Sequence, residues 1–497
     1  MKGTGRCKRA ALCLMTLLLA GSVFRAAAAA EARTGPCGTE TGACYALAVG
    51  CDRFVTMPDT SPASANNAVK AGELLSRYAC GPRDAVTAIG PDGAETLKSL
   101  IGQAFSDAGD DDVCYLYIST HGIAPEENNG EAALLLSDGE REEKLTAGML
   151  KSMLDPIPGR TVILIDACYS GAMIGKGTEG IPENVFEGQK YTLIVSGGGR
   201  EESWLWSADT DRYAGTGYFT SALRIALDAV GRQSGNDGIS LTALKRMLLE
   251  LHGASTVQTY PEEDTRVVFA LRGDPDPDMT VRSVSFDSGA LDPRSAAQRF
   301  RFIADRYTRI SYQLTPWRNG GWDFAGALRY YDTGTEGDVR GYVSPGAKER
   351  QLVLRSARDY GYGYALLQML TVTDGVPAME VSHVICIPPT EGDPQLTAET
   401  GEGFSPTRGE EQRITARHRF PCELTVSVTD ATGNTVRYLC VSEPTRPQNA
   451  EPEGTYFYWN GKLADGEFAP AGLYRARVRT EIGGVRYECF SAPFMLR

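Results

Sequence analysis

Two side chains in this sequence have the types and the setting for nucleophilic attack on a carbonyl. Each stands at the end of a strongly apolar run. His121 closes Val113-Cys-Tyr-Leu-Tyr-Ile-Ser-Thr-His-Gly122, and Cys168 lies in Thr161-Val-Ile-Leu-Ile-Asp-Ala-Cys-Tyr-Ser-Gly-Ala-Met173. A cysteine attacks as its thiolate and needs a base or cation to lower its pKa. An imidazole can assist that ionisation and later protonate a leaving amine. Gly122 beside the histidine and the backbone N–H of Cys168 are placed to hold the oxyanion of a tetrahedral intermediate. Gly171 is read as the residue that permits a tight turn after the cysteine. His252-Gly253 repeats the His-Gly pair but closes a helical pattern, where both residues are common caps. His383 and His418 fall in a later, strand-rich region and read as structural. No His-Glu-x-x-His or paired Cys-x-x-Cys occurs, which argues against zinc chemistry.

These residues need a scaffold that brings two strand ends together. Apolar runs too short for helices, separated by helical spacing, recur through the first half. Strands are expected at Tyr45–Gly50, Ala85–Ile89, from Val113, at Leu134–Leu136, from Thr161, at Tyr191–Ser196 and at Arg266–Leu271. Helices are expected over Ser61–Tyr78, Ala94–Phe105, Leu145–Leu154, Tyr218–Ala229 and Leu241–Leu251. This alternation predicts an α/β domain with a mostly parallel sheet covered by helices on both faces, and chemistry at the carboxyl ends of its strands. The last strand, Arg266–Leu271, is expected to close the domain. Glu201, Glu202 and the 207–216 loop are near enough in sequence to shape a pocket.

Composition changes at Asp274-Pro-Asp-Pro-Asp278. Beyond that linker short alternating strands replace helical spacing, the pattern of β-sandwiches. An internal repeat is visible. Gln298-Arg-Phe-Arg-Phe leading to Ile310–Leu314 parallels Gln412-Arg-Ile-Thr-Ala leading to Leu424–Val428, and Cys386 and Cys489 fall at similar places in the last strands. The domains expected are 31–273, 279–390 and 405–497.

The chain has 497 residues, a net charge of −13 and 42% hydrophobic residues. That balance suits folded domains and argues against nucleic acid or an anionic membrane as partner. Residues 1–30 read as a secretory signal: a basic start, an apolar stretch over Ala10–Val23 and small residues at Ala26–Ala30. No later segment is apolar enough to span a bilayer. The protein is therefore expected outside the cell or at its surface, where disulfides persist. Cys37 with Cys44 and Cys422 with Cys440 are the pairs considered, and Cys114 is the candidate for a second unpaired thiol. Asp107, Asp110, Asp111 and Asp112 read as a solvated acidic turn, because they lack calcium-loop spacing.

Tyr45-Ala-Leu-Ala-Val-Gly-Cys-Asp52, Tyr115-Leu-Tyr-Ile-Ser-Thr-His-Gly122, Ile165-Asp-Ala-Cys-Tyr-Ser-Gly171 and Gly217-Tyr-Phe-Thr-Ser-Ala-Leu223 together resemble the caspase-type cysteine peptidases. The separation of His121 and Cys168, 47 residues, is near the roughly 50 of such sites. The Asp-x-Cys-x-Ser-Gly form is most similar to metacaspases and their bacterial relatives, although Tyr169 stands where they have histidine. The resemblance covers about residues 44–272. It implies a three-layer αβα sandwich, a His121/Cys168 dyad and endopeptidase activity on polypeptides. It implies that Asp166 binds a basic P1 side chain, which a carboxylate at a pocket base would favour. It also raises calcium as a cofactor at the acidic turn. The Ala-Cys-x-Ser-Gly segment is shared with legumain-like peptidases, which implies cleavage after Asn or Asp as the alternative; a transpeptidase using the same thioester is another, and a non-catalytic surface or adhesion protein on the same scaffold a third. Leu424–Leu439 with Trp459-Asn-Gly-Lys and Pro470-Ala-Gly-Leu-Tyr474 resemble the Ig-like domain of flagellar hook-capping proteins, which implies protein binding or spacing.

Overall fold

The computed structural model describes residues 42–497 except 80–84, 178–182, 187, 207–215, 234–237, 272–273, 288, 292–296, 333–340, 354–361 and 448–453. The signal segment, Cys37 and most of the 207–216 loop lie outside the described residues.

The first unit is α/β. Its six-stranded sheet comprises β1 (Cys44–Gly50), β2 (Val86–Ile89), β3 (Val113–Ser119), β4 (Arg160–Asp166), β5 (Tyr191–Val195) and β6 (Gln258–Tyr260), in the order β6-β5-β4-β3-β1-β2. All neighbours are parallel except β6, which runs antiparallel to β5. The apolar runs are continuous because both faces are covered. Leu47, Leu116, Ile163 and Leu193 form one row across the sheet, facing a core that includes Leu97 and Ile101 of helix α2 (Ala94–Ala104) and Leu150 of α3 (Ala147–Leu154). Tyr117, Leu164 and Ile194 form the next row. They face a second core containing Leu74 of α1 (Ala63–Tyr78), Phe219 of α4 (Tyr218–Gly231) and Leu244 of α5 (Leu241–Leu251). The α5 start is capped by Ser240, whose hydroxyl accepts the Ala243 N–H.

One expected strand plays a different part. Val267–Phe269 is a strand, but it pairs with Ile239–Ser240 outside the main sheet, and β6 closes the edge instead. β6 is three residues long and begins with Gln258 and Thr259, so it lacks the apolar run that marks a buried strand.

Residues 281–387 fold as a sheet of Val281–Phe286, Ala297–Ala304 and Gly346–Val353 facing a sheet built on Thr308–Arg318, Gly363–Thr373 and Val376–Ile387. Residues 397–496 repeat the plan, with Gln412–Arg417 central in one sheet and Glu423–Asp430 beside Gly472–Ile482 in the other. The repeat extends to detail. Gln298 and Gln412 are both buried, and each donates its side-chain amide to the carbonyl of the following residue, at 2.9 and 2.8 Å. The expected Cys422–Cys440 disulfide is absent: both are buried free thiols. Strand spacing that looked like a staple places them in one apolar core instead, where the Cys440 thiol donates to the Leu424 carbonyl at 3.4 Å.

The three units are joined by buried polar contacts. Lys176 is 3% exposed and bridges Glu262 of the first unit, at 2.9 Å, and Glu411 of the last, at 2.6 Å. Its ammonium also lies 3.5 Å from the ring centroid of Tyr458, whose hydroxyl accepts the Gly177 N–H. Burial works against the charge on Lys176, but the two carboxylates outweigh it and raise its pKa. Burial likewise works against the charge on Glu262, and Lys176 and Lys245 outweigh it, holding the carboxyl near 2 against an ordinary 4.5. A carboxyl lowered in the folded state stabilises fully above its ordinary value and loses that contribution as pH falls through the folded one. The urea midpoint of the full chain is expected to fall between pH 4.5 and 2. Lys176→Met, which strands buried carboxylates, is expected to cost about 3–5 kcal/mol at pH 7 and to weaken that acid dependence.

Candidate active site

β3 and β4 are neighbours in register, with Ser119 opposite Asp166. Thr120 N–H donates to the Asp166 carbonyl at 3.3 Å, so the two chains leave the sheet side by side. Gly122 then lies against the peptide of Cys168. A Cβ on Gly122 would stand 1.7 Å from the Cys168 carbonyl oxygen and 3.3 Å from its nitrogen. No other residue fits there, and the two backbone segments read as oxyanion donors are adjoining.

The His121 backbone is fixed from the far side. Its carbonyl accepts the Leu135 N–H at 2.9 Å, and Gly122–Ile123 pairs with Ala133–Leu134 in a small sheet that Glu142–Thr146 completes. The imidazole turns toward the 52–59 loop. Its Nε2 is 2.8 Å from the Pro58 carbonyl, and its ring lies 4.6 Å from that of Phe54. That loop is held by Glu142, which accepts the Val55 N–H and Thr56 N–H at 2.8 and 3.1 Å. Burial of Glu142 is outweighed by the Thr56 and Val55 bonds, which keep its carboxyl below the usual range.

Cys168 follows β4 and precedes Tyr169, which takes the left-handed conformation at φ 57° and donates its N–H to the Glu201 carbonyl. The tight turn falls at Tyr169. Gly171 is needed for another reason: a Cβ there would meet Gly199 N at 2.6 Å and Gly198 C at 2.7 Å. The Cys168 sulfur faces Ser203, accepting its N–H at 3.3 Å and donating to its carbonyl at 3.6 Å. Burial pushes the thiol up to about 11; the Ser203 N–H pulls the other way, and the Glu202 and Asp166 charges add to the rise. His121 and Cys168 are thus on adjoining strand ends, with the imidazole bonded to Pro58 and the sulfur to Ser203.

Asp166 is 3% exposed. Its carboxylate accepts the Ser203 hydroxyl at 3.0 Å, the Thr220 hydroxyl at 2.9 Å and, at 3.4 Å, the Tyr117 hydroxyl and the Asn67 amide. Burial raises its pKa to about 6 against those bonds. Gly217 covers it, since a Cβ there would lie 2.3 Å from Oδ2. Asn67 ties the roof down by accepting the Gly217 N–H at 2.6 Å.

Ser203, Asn67 and Thr220 were not singled out from sequence. Ser203 links Cys168 to Asp166, and the signal for it was the Gly197-Gly-Gly199 turn ending β5, which had to carry the next strand exit past the cysteine. Of the neighbouring acids, Glu201 is a brace: it accepts the Gly198 and Thr256 N–H groups, and burial raises its pKa. Glu202 is exposed. His252 caps α5 and is fully buried between Ser196 and Ser255, with burial lowering its pKa to about 3. His383 bonds the Glu250 carbonyl and His418 the Phe420 carbonyl. At the acidic turn, Asp112 commits its two oxygens to the Ala43 and Gly109 N–H groups. Among the described residues no group of three His, Cys, Asp or Glu is placed to hold a metal. Among them, too, no helix is long and apolar enough to cross a membrane.

No protein family and no curated protein matches the chain. Solved structures similar to it include caspase-1 from Spodoptera frugiperda, at 13% identity over 50% of this chain and 94% of that one, TM-score 0.33. They also include dimeric latent PorU from Porphyromonas gingivalis, at 15% identity over 48% and 23%, TM-score 0.18. Red sea bream transglutaminase is similar at 8% identity over 48% and 37%, TM-score 0.20. Scores this low leave the reading of the site to its own geometry.

With a thiol pKa near 11, alkylation of Cys168 by iodoacetamide is expected to rise about tenfold per pH unit between pH 7 and 10. A plateau below pH 9 in a rate measured by peptide mass mapping would contradict this arrangement.

Proposed function

We propose that this chain is an exported cysteine endopeptidase with a caspase-type αβα catalytic domain and two Ig-like β-sandwiches. Cys168 is the nucleophile and His121 its base. The observation that carries the reading is the seating of Gly122 on the Cys168 peptide, which supports a dyad on adjoining strand ends with oxyanion donors beside it. In the resting arrangement the sulfur is a thiol clamped by Ser203, and the imidazole is held by Pro58. Catalysis then requires a substrate backbone to displace the Ser203 contact and the imidazole to swing from Pro58 toward the sulfur. His121 takes the thiol proton as sulfur bonds the scissile carbonyl carbon, and it returns that proton to the leaving amine. Water then hydrolyses the thioester.

A basic P1 residue is the preference proposed. Asp166 is a buried carboxylate whose partners among the described residues are hydroxyls and an amide, and an arriving guanidinium would stabilise its charge. Calcium takes no part in this proposal. A second reading, a non-catalytic surface protein, is favoured by the high pKa of Cys168 and the engaged imidazole.

Peptides with Arg, Lys, Asn or Asp at P1 distinguish these readings. Cleavage is expected after Arg and Lys, with kcat/KM for the Arg substrate rising through an ionisation near pH 6 as Asp166 deprotonates. Cys168→Ala and His121→Ala are each expected to lower kcat by about a thousandfold or more. Undiminished cleavage by Cys168→Ala would end the peptidase reading. Preference for Asn would move the assignment to the legumain-like alternative, and amine-trapped products to the transpeptidase.

A further inference from the structure

The segment that clamps the nucleophile is itself held by the second unit. Ser203 bonds the Cys168 sulfur through its backbone and Asp166 through its hydroxyl. The next residue, Trp204, has its carbonyl tied to the first N–H of α4 at 3.1 Å. Its ring, half-buried, lies 5.2 Å from that of Phe324 at a 57° tilt. Phe324 belongs to the short turn after Gly321–Trp322, in the first β-rich unit.

That turn is anchored to the α/β unit. Trp322 is 6% exposed and donates its indole N–H to the Ala254 carbonyl at 3.0 Å. Asp323 caps the turn by accepting the Gly326 N–H at 2.9 Å. The sheet behind it reaches the start of α4, where the Gln368 amide donates to the Tyr218 hydroxyl at 2.8 Å. Phe324 is therefore a fixed ring pressed on a residue adjacent to the clamp.

We propose that Phe324 is a positioning residue of the active site, fixing the Ser203–Trp204 segment against Cys168 so that the cleft is built by two units of the chain. The proposal rests on the reading of Cys168 as nucleophile, but its first test does not. In the full-length protein Phe324→Ala frees Trp204, loosens the Ser203 contacts and exposes the sulfur. Alkylation of Cys168 by iodoacetamide at pH 8 is expected to rise at least about threefold, since greater access and solvation of the sulfur outweigh the lost Ser203 N–H, which favours the thiolate. Peptide cleavage is expected to lose most of its efficiency through KM, because a mispositioned segment binds substrate poorly while the sulfur and imidazole are intact. Phe324→Tyr, which keeps the ring, restores both values. Tyr307→Ala, on an exposed face of the same unit, changes neither. If Phe324→Ala also lowers the melting temperature, Phe324→Leu provides the same comparison with the apolar bulk kept. Alkylation within twofold of wild type in both Phe324→Ala and Phe324→Leu overturns the proposal. Altered alkylation in a protein that cleaves no peptide supports this positioning and overturns the peptidase reading alone.

Discussion

The approach of Gly122 to the Cys168 peptide is the constraint on which the site depends. Two parallel strands leave a sheet about 5 Å apart and diverge unless something holds them. Here the absence of a single Cβ lets one backbone rest on the other, and the Thr120 N–H to Asp166 carbonyl bond fastens them one step earlier. The small hairpin sheet that pairs with Gly122–Ile123 presses from outside. Histidine and cysteine are thereby fixed as neighbours through their main chains, whatever their side chains do.

The side chains are set by competing demands of burial. Both Asp166 and Cys168 sit where a negative charge is poorly solvated, and the Asp166 carboxylate makes ionisation of the thiol harder. Ser203 serves both, its N–H toward sulfur and its hydroxyl toward the carboxylate. Such a site favours the neutral thiol until something cationic or dipolar enters. Pro58 offers the imidazole an alternative acceptor on a loop held by Glu142, so the resting geometry is a defined state and not a collapsed one.

Much of this was legible in the residues. The continuous apolar runs of β1, β3, β4 and β5 announced strands covered on both faces, and the glycine beside His121 marked a place of close backbone approach. The reason for Gly171 was misread, because sequence cannot tell a left-handed turn from a backbone contact with residues 25 or more positions away. β6 escaped notice because a three-residue edge strand with polar members has no periodicity to detect. The Cys422–Cys440 pairing failed because spacing carries no information on which thiols share an apolar core. The direction of the His121 ring and the part played by Ser203 depend on contacts between loops far apart in the chain, which composition and pattern do not encode.

Lys176 stands eight residues beyond Cys168, yet its carboxylate partners lie in two different units. The segment that follows Cys168 is thus moored to the last domain by a buried ammonium ion. Tension applied at the carboxyl end, by an attached surface or a fused cargo, would reach the turn behind the sulfur through this contact as well as the edge of the sheet through Glu262.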